Sequence, residues 1–351
     1  CHFDGKEAWY RLDERIAALQ TDIVGCLPSE TGIMGSLTTN LHMLMASFYR
    51  PTGERKKILI EPHAFPSDRY AAAAQVAWHG GNPNTDVITI EAENPDHLTP
   101  DDLQRTLHHH KDISLALLGG VNYYTGQFLD IASMSPILKS QEITFGLDLA
   151  HAVGNVPLEL HDWGIDFASW CTYKYLNAGP GSIAGYFVHH KHHTDKKLIR
   201  LAGWWGNDPD TRFDMHGQEH FIPRPSADGW KTSNPSLLAM IPLKESLEMF
   251  AEHSMVALRE RSVRLTKYFE KGVKAIKNIS SITPTDPKRR GCQISVRVSG
   301  SASDLEEELI GYGVVPDARD PDILRFAPVP MYTTFTDIAR AVQVLDRLVA
   351  N

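Results

Sequence analysis

Lys174 stands between two tyrosines in "WCTYKYLNAGPGSIAGYF", after an apolar run and before a glycine-rich stretch. Upstream, Asp148 closes the apolar run "ITFGLDLA", and His151 follows three residues later. Farther upstream, "KILI" leads into "EPHAFPSD", which carries Phe65, Pro66, Ser67 and Asp68, with Ser67 and Asp68 placed to cap the next helix. An amine, a carboxylate and an aromatic ring, each at the end of its own strand, match what pyridoxal phosphate requires. The lysine amine takes the aldehyde as a Schiff base, the carboxylate keeps the pyridine nitrogen protonated, and the aromatic stacks on the ring. A phosphate also needs a cradle. "SETGIMGSLTTNLHMLM" offers a Gly/Ser/Thr turn opening a helix whose N–H groups and dipole favour an anion, with Leu37 and Thr38 at its start.

Each residue also has an ordinary reading. A strand-end aspartate followed by histidine is, alone, more often a satisfied polar pair or a cap. A lysine after a buried strand is usually a surface charge with its stem along apolar atoms. The balance shifts because Asp148 precedes Lys174 by one βαβ unit, with Phe65 and the Ser/Thr turn upstream in the expected order. Gly179, Gly181 and Gly185 follow the lysine and do not join a strand to a helix, so they are no dinucleotide fingerprint; they permit close backbone approach.

These residues need a sheet to bring them together. "KILIE" (57–61), "DVITI" (86–90), "ISLALLGGV" (113–121), "ITFGLDLA" (143–150) and "IDFASWCTY" (165–173) read as strands, and 67–80 and 100–110 as helices between them. That alternation predicts an α/β fold with a mostly parallel sheet covered on both faces, and ligands at the carboxyl ends of its strands. After residue 235 the texture changes: a long helical pattern over 237–277, strands at 292–298 and 323–328, and helices near 302–311 and from 334. The expected division is a large cofactor-binding domain, 1–235, and a smaller α+β domain, 236–351.

The 351 residues suffice for two domains, and 42% hydrophobic with 22% charged residues is ordinary globular composition. A formal charge of −8 argues against nucleic acid as a partner. No apolar run approaches the roughly 18 residues of a membrane span. Cys1, Cys26, Cys171 and Cys292 are scattered, as expected of reduced thiols in a cytoplasmic protein. "CHFDGKEAWY" is not a signal peptide, and a start at Cys1 suggests a sequence that begins inside a longer protein. The histidine clusters "HHH" (108–110) and "HHKHH" (189–193) are expected in surface loops, with no metal site, because adjacent histidines point to opposite faces of a strand.

The run 148–187 resembles kynureninase, a fold-type I pyridoxal-phosphate family of the class V aminotransferase group. "AFPSD" (64–68), "VNYYTGQ" (121–127), "GWWG" (203–206), "TSNP" (232–235) and "RFAPVPMY" (325–332) extend the resemblance in order along the chain. It implies hydrolysis of L-kynurenine or its 3-hydroxy derivative to anthranilate or 3-hydroxyanthranilate and L-alanine, within tryptophan catabolism and NAD biosynthesis. By the same resemblance Lys174 is the Schiff-base lysine and the base at Cα. Asp148 pairs with the ring nitrogen, His151 lies beside the ring, Phe65 stacks on it, and Asp68, next to Pro66 and Ser67, adds a polar contact. Leu37, Thr38 and Tyr173 hold the phosphate, and Tyr173 also serves proton transfer. Trp204 and Asn234 correspond to residues that reach the cofactor, and for Asn234 also the substrate, across a subunit interface, which implies an obligate homodimer. Arg325 grips the substrate α-carboxylate, and His2 lies near the substrate ring.

Two departures stand out. Gly119 replaces a small hydroxyl residue at a cofactor-binding position, and the family's N-terminal segment, with its GNSLG-type loop, has no counterpart before Cys1. The alternatives are a cofactor-binding but inactive chain and a cysteine desulfurase or selenocysteine lyase. The last needs a cysteine on a mobile loop, whereas Cys171 is expected within a strand and Cys292 at the start of one.

Overall fold

A computed structural model describes residues 8–217 and 219–349. Seven strands form the main sheet: β1 (Thr31–Ile33), β2 (Lys57–Ile60), β3 (Val87–Thr89), β4 (Ile113–Gly119), β5 (Thr144–Asp148), β6 (Phe167–Trp170) and β7 (Gly185–Val188). Their order is β1-β7-β6-β5-β4-β2-β3. The run from β6 to β3 pairs in parallel, and β7 alone is reversed, antiparallel to β6 and to β1. The expected α/β architecture is present.

Period-two alternation sends apolar side chains to both faces of this sheet. Leu59, Ala116, Leu118, Phe145, Leu147 and Ala168 join one cluster, with Ile131, Met134 and Leu138 of the helix Ile131–Ser140. Ile58, Ile60, Leu115, Leu117 and Phe167 join the other. There they meet Leu41, Leu44, Met45 and Phe48 of the helix Leu37–Phe48, and Ala71, Ala72 and Val76 of the helix Pro66–Trp78. Burial on both faces explains why β2, β4 and β5 read as continuous apolar runs.

A second, antiparallel sheet has the order β10-β11-β9-β8, with β8 at Ser280–Ser281, β9 at Ile294–Arg297, β10 at Asp317–Arg319 and β11 at Ile323–Phe326. Ile294, Val296, Leu324 and Phe326 pack on Leu265, Phe269, Ile338 and Leu345 of the helices Met255–Val273 and Phe335–Val349. The helical pattern expected over 237–277 is two helices, Leu237–Glu252 and Met255–Val273. Ser254 separates them by accepting a hydrogen bond from the Ala257 N–H as an N-cap.

The turn Asn122–Gly126 ties the two sheets together. Asn122 Oδ1 accepts from the Tyr124 and Thr125 N–H groups, each at 3.0 Å, and Gly126 adopts φ +74°. The turn's outward carbonyls serve the second sheet: Tyr123 accepts from Gln293 at 2.8 Å and from Arg325 at 2.7 Å, and Tyr124 from Ser295 at 2.6 Å. Arg325, on β11, is thereby held over the carboxyl edge of the first sheet.

Candidate active site

Asp148 is the last residue of β5, in register with Gly119 on β4 and Ser169 on β6. Its Oδ1 accepts the Ala150 N–H at 2.7 Å. Beyond β6 the chain turns and presents Lys174, whose Nζ lies 3.1 Å from His151 Nε2 and 5.8 Å from the centre of the Phe65 ring. The glycine-rich loop folds back onto this turn, because Thr172 Oγ1 donates to the Ile183 carbonyl at 2.7 Å. Gly179 (φ +80°) and Gly181 (φ +77°) take left-handed conformations suited to glycine.

These elements surround a cavity of about 340 Å³. Leu37, Thr38, Phe65, His151, Tyr173, Lys174 and Arg325 all line it, together with Ser36, Tyr123, Cys171, Ser182, Asp317 and Arg319. The helices Leu37–Phe48 and Pro66–Trp78 both begin at this wall, joined by a 2.9 Å hydrogen bond between Thr38 Oγ1 and Ser67 Oγ. Pro66 occupies the first turn of its helix, where a missing N–H costs nothing. Two helix starts at one wall favour an anion there.

Behind the cavity lie three buried carboxyl groups. Burial, and then the Asp148 charge, push Asp68 well above the usual carboxylate range. Burial also raises Asp148. Glu61, just beyond β2, is pushed up to about 7 by burial, with the Gly119 N–H opposing and the Asp148 charge adding. Gly119 does not line the cavity; its N–H donates to Glu61 Oε2 at 2.8 Å, and a Cβ there would meet Glu61 Oε1 at 2.7 Å. The glycine at this position makes room for the glutamate. His151 is held well below the ordinary imidazole range by burial and by the charges of Lys174, Arg325 and Arg319. His151 Nε2 and the Lys174 amine share one hydrogen bond, at 3.1 Å.

The site is short of partners. Asp68 Oδ1, His151 Nδ1 and Arg325 Nε are buried without a hydrogen bond. Such orphans are unusual in a folded protein and ask for a ligand. A ring with a protonated nitrogen suits the carboxylates, an aldehyde suits Lys174, and a phosphate suits the helix starts. The residues present fit pyridoxal phosphate.

Trp204 and Asn234 are not brought to this cavity within one chain. They border another of about 190 Å³, with Trp9, Tyr10, Trp205 and Phe213. His2 lies outside the described residues. Cys171 is not inside β6 but one residue past it; it is 3% exposed and its thiol is raised by burial. Cys292 is fully buried and pushed up to about 12. The histidine runs are not surface loops: His108 and His109 end the helix Pro100–His109, and His189 and His193 are buried around a single 3-10 turn. Several site residues have no role in the sequence reading, Glu61, Tyr123, Asp317 and Arg319 among them. An acidic residue closing the buried strand "KILI" carried the same signal as Asp148.

A kynureninase from Salinispora tropica is 47% identical over 98% of this chain and 81% of its own length. A kynureninase from Xanthomonas axonopodis pv. citri is 45% identical over 98% of this chain and 82% of its own. The family described as "Kynureninase C-terminal domain" matches residues 258–345. Among solved structures, a cysteine desulfurase from Thermococcus onnurineus NA1 superposes with a TM-score of 0.79 at 15% identity, covering 96% of this chain and 83% of that one. The cystine C-S lyase C-DES does so with a TM-score of 0.79 at 15% identity, covering 98% and 89%. At that identity these structures establish the fold alone, which is that of fold-type I enzymes.

Proposed function

The chain belongs to the kynureninase family, and we propose that the cavity beneath Lys174 is where it cleaves its substrate. The enzyme hydrolyses kynurenine with pyridoxal phosphate as cofactor. One observation carries the assignment of the site: Lys174, His151 and the buried Asp148–Asp68 pair converge at the carboxyl ends of β5 and β6.

When bound, pyridoxal phosphate supplies an electron-withdrawing ring that stabilises negative charge next to the bonds being broken. Lys174 would hold its aldehyde carbon, Asp148 its ring nitrogen, Phe65 its face, and the helix starts at Leu37 and Thr38 its phosphate. The Lys174 amine then moves the proton at the substrate Cα, and His151 Nε2 orients that amine. Tyr173, at the cavity rim, exchanges a proton with the leaving fragment. Its hydroxyl is pushed up to about 12 by burial, so it remains protonated and is ready to donate.

Arg325 is the carboxylate grip. Its Nη1 donates to the Tyr123 carbonyl at 2.7 Å and its Nη2 to Asp317 Oδ2 at 2.6 Å, which fixes the guanidinium plane, while Nε has no partner. Truncating one side of a buried charge pair costs about 2–5 kcal/mol. Arg325→Gln is therefore expected to lower kcat/KM for kynurenine by about 30- to 4,000-fold, mostly through KM. Steady-state kinetics check it: an unchanged KM would remove Arg325 from substrate binding.

The assembly we infer is a homodimer, in which Trp204 and Asn234 reach the partner's cavity. Support comes from the apolar surface beside them, where Phe213 and Leu238 are exposed. Among the described residues no helix is long and apolar enough to cross a membrane. Cys26, Cys171 and Cys292 are free thiols, which favours the cytoplasm.

The test is direct. Protein supplied with pyridoxal phosphate and L-kynurenine should release anthranilate, followed by its fluorescence, and alanine in equal amounts. Supplied with L-cysteine, it should release no sulfide. Sulfide without anthranilate would transfer the site to the desulfurase reading.

A further inference from the structure

A second cluster of ligating side chains lies at the other end of the main sheet. Glu30 directly precedes β1, His161 sits on the one-turn helix Leu160–Trp163, and His189 and His190 directly follow β7. β7 starts beside the Lys174 cavity, since Ala184 lines it, and runs away from it. A four-residue strand separates the two places by on the order of 13 Å.

The Glu30 carboxylate is fully buried, and three imidazoles turn the same nitrogen toward it. Its Oε1 lies 3.0 Å from His161 Nδ1, 3.4 Å from His189 Nδ1 and 2.9 Å from His190 Nδ1. One ligand atom from each of the four residues lies within 4.8 Å of every other. In a tetrahedral zinc site with bonds of about 2.0–2.1 Å, neighbouring ligand atoms stand about 3.3 Å apart. The carboxylate-to-imidazole distances already have that scale.

A hydrogen-bond hub accounts for only part of this arrangement. His161 and His190 can each donate an Nδ1–H to Glu30. His189 cannot, because its Nδ1 accepts the Lys191 N–H at 3.3 Å. His189 Nδ1, an acceptor for the Lys191 N–H, therefore stands 3.4 Å from a carboxylate oxygen that is itself an acceptor, an unfavourable contact. A cation between the two would turn this repulsion into attraction, and the half-exposed turn would leave the Lys191 N–H to water. Three imidazoles and one carboxylate are a donor set that suits zinc.

We propose that Glu30, His161, His189 and His190 form a binding site for a zinc-type divalent cation that ties β1 and β7 to the Leu160–Trp163 helix. It is separate from the catalytic cavity and shares no residue with it.

The experiment uses the cofactor-loaded enzyme, stripped with a chelator, dialysed against Zn²⁺ and then against metal-free buffer, with retained zinc measured by mass spectrometry. The wild type should hold one zinc per chain. The double variant His161→Ala, His190→Ala should bind it at least about a hundredfold more weakly, since loss of outer-shell partners alone costs 10- to 100-fold. Both substituted side chains are partly exposed, at 30% and 50%, so the variant should fold, and its bound cofactor reports that it has. Two outcomes overturn the site: no retained zinc in the wild type, or retention that the double variant does not change. In the second case, others of the 17 histidines hold the metal.

Discussion

Lys174→Ala is expected to lower kcat for kynurenine by about 10⁴-fold or more and to free the cofactor from covalent attachment. Acid–base catalysis by one placed side chain contributes about 10²–10⁴-fold, and loss of the nucleophile's covalent role adds to that. The variant should fold normally. Lys174 makes its named side-chain contacts with His151 at 3.1 Å and the Phe65 ring at 5.8 Å, both at the cavity, and supports no core packing. Its loss relieves the nearby charge on His151, and the counter-charge it takes from Asp148 and Asp68 raises those buried carboxyl groups further. The check has two readouts. Gel filtration should strip the cofactor's visible absorption from the variant and leave it on the wild type. A small primary amine added to the assay should restore part of the lost rate, because it can occupy the vacated space and move the proton. Residual activity within tenfold of wild type would place the chemistry on another residue.

The site was legible wherever chemistry coincided with a strand end. Asp148 and Lys174 close or follow apolar runs, and Thr38 and Ser67 open helices, so composition and local order sufficed. Glu61 shows the limit. It closes "KILI" as plainly as Asp148 closes β5, yet its role depends on β4 lying between β2 and β5, which places Gly119 between the two carboxylates. That adjacency follows from sheet order, and sheet order is not sequential here. Glu30 and His190 are separated by 160 residues, so no spacing rule links them, and "HHKHH" looked like a loop. β1 has three residues, too few for alternation to register. The break at Ser254 was a capping signal inside a long helical pattern, and the pattern outweighed it. Trp204 and Asn234 were named from the family resemblance, and one chain alone leaves them at a different cavity.

The second large effect concerns charge at the ring nitrogen, and Asp148→Asn isolates it. Asparagine keeps the shape of aspartate, and its oxygen can still accept the Ala150 N–H that Asp148 Oδ1 accepts at 2.7 Å. What disappears is the negative charge. In the native site that charge is costly: burial raises Asp148, and the same charge helps to push Asp68 well above its ordinary range and Glu61 up to about 7. Three buried carboxyl groups with too little positive charge around them are an arrangement that stability alone disfavours. The arrangement becomes useful when a protonated nitrogen is placed against it, because it then resists losing that proton. Removing one preorganised electrostatic partner of a developing charge costs about 10²- to 10³-fold in rate. Asp148→Asn is therefore expected to lower kcat by about that factor with KM nearly unchanged, since Arg325 and the helix starts at Leu37 and Thr38 are untouched. The apo variant should at the same time be no less stable than the apo wild type in urea, because it sheds one of three crowded buried carboxyl charges. A cofactor methylated at the ring nitrogen carries a fixed positive charge and should return much of the lost rate to the variant. A drop in kcat of less than about tenfold, or a loss that the methylated cofactor leaves unchanged, would mean that Asp148 serves the β5 terminus through its hydrogen bond to Ala150 and not through its charge.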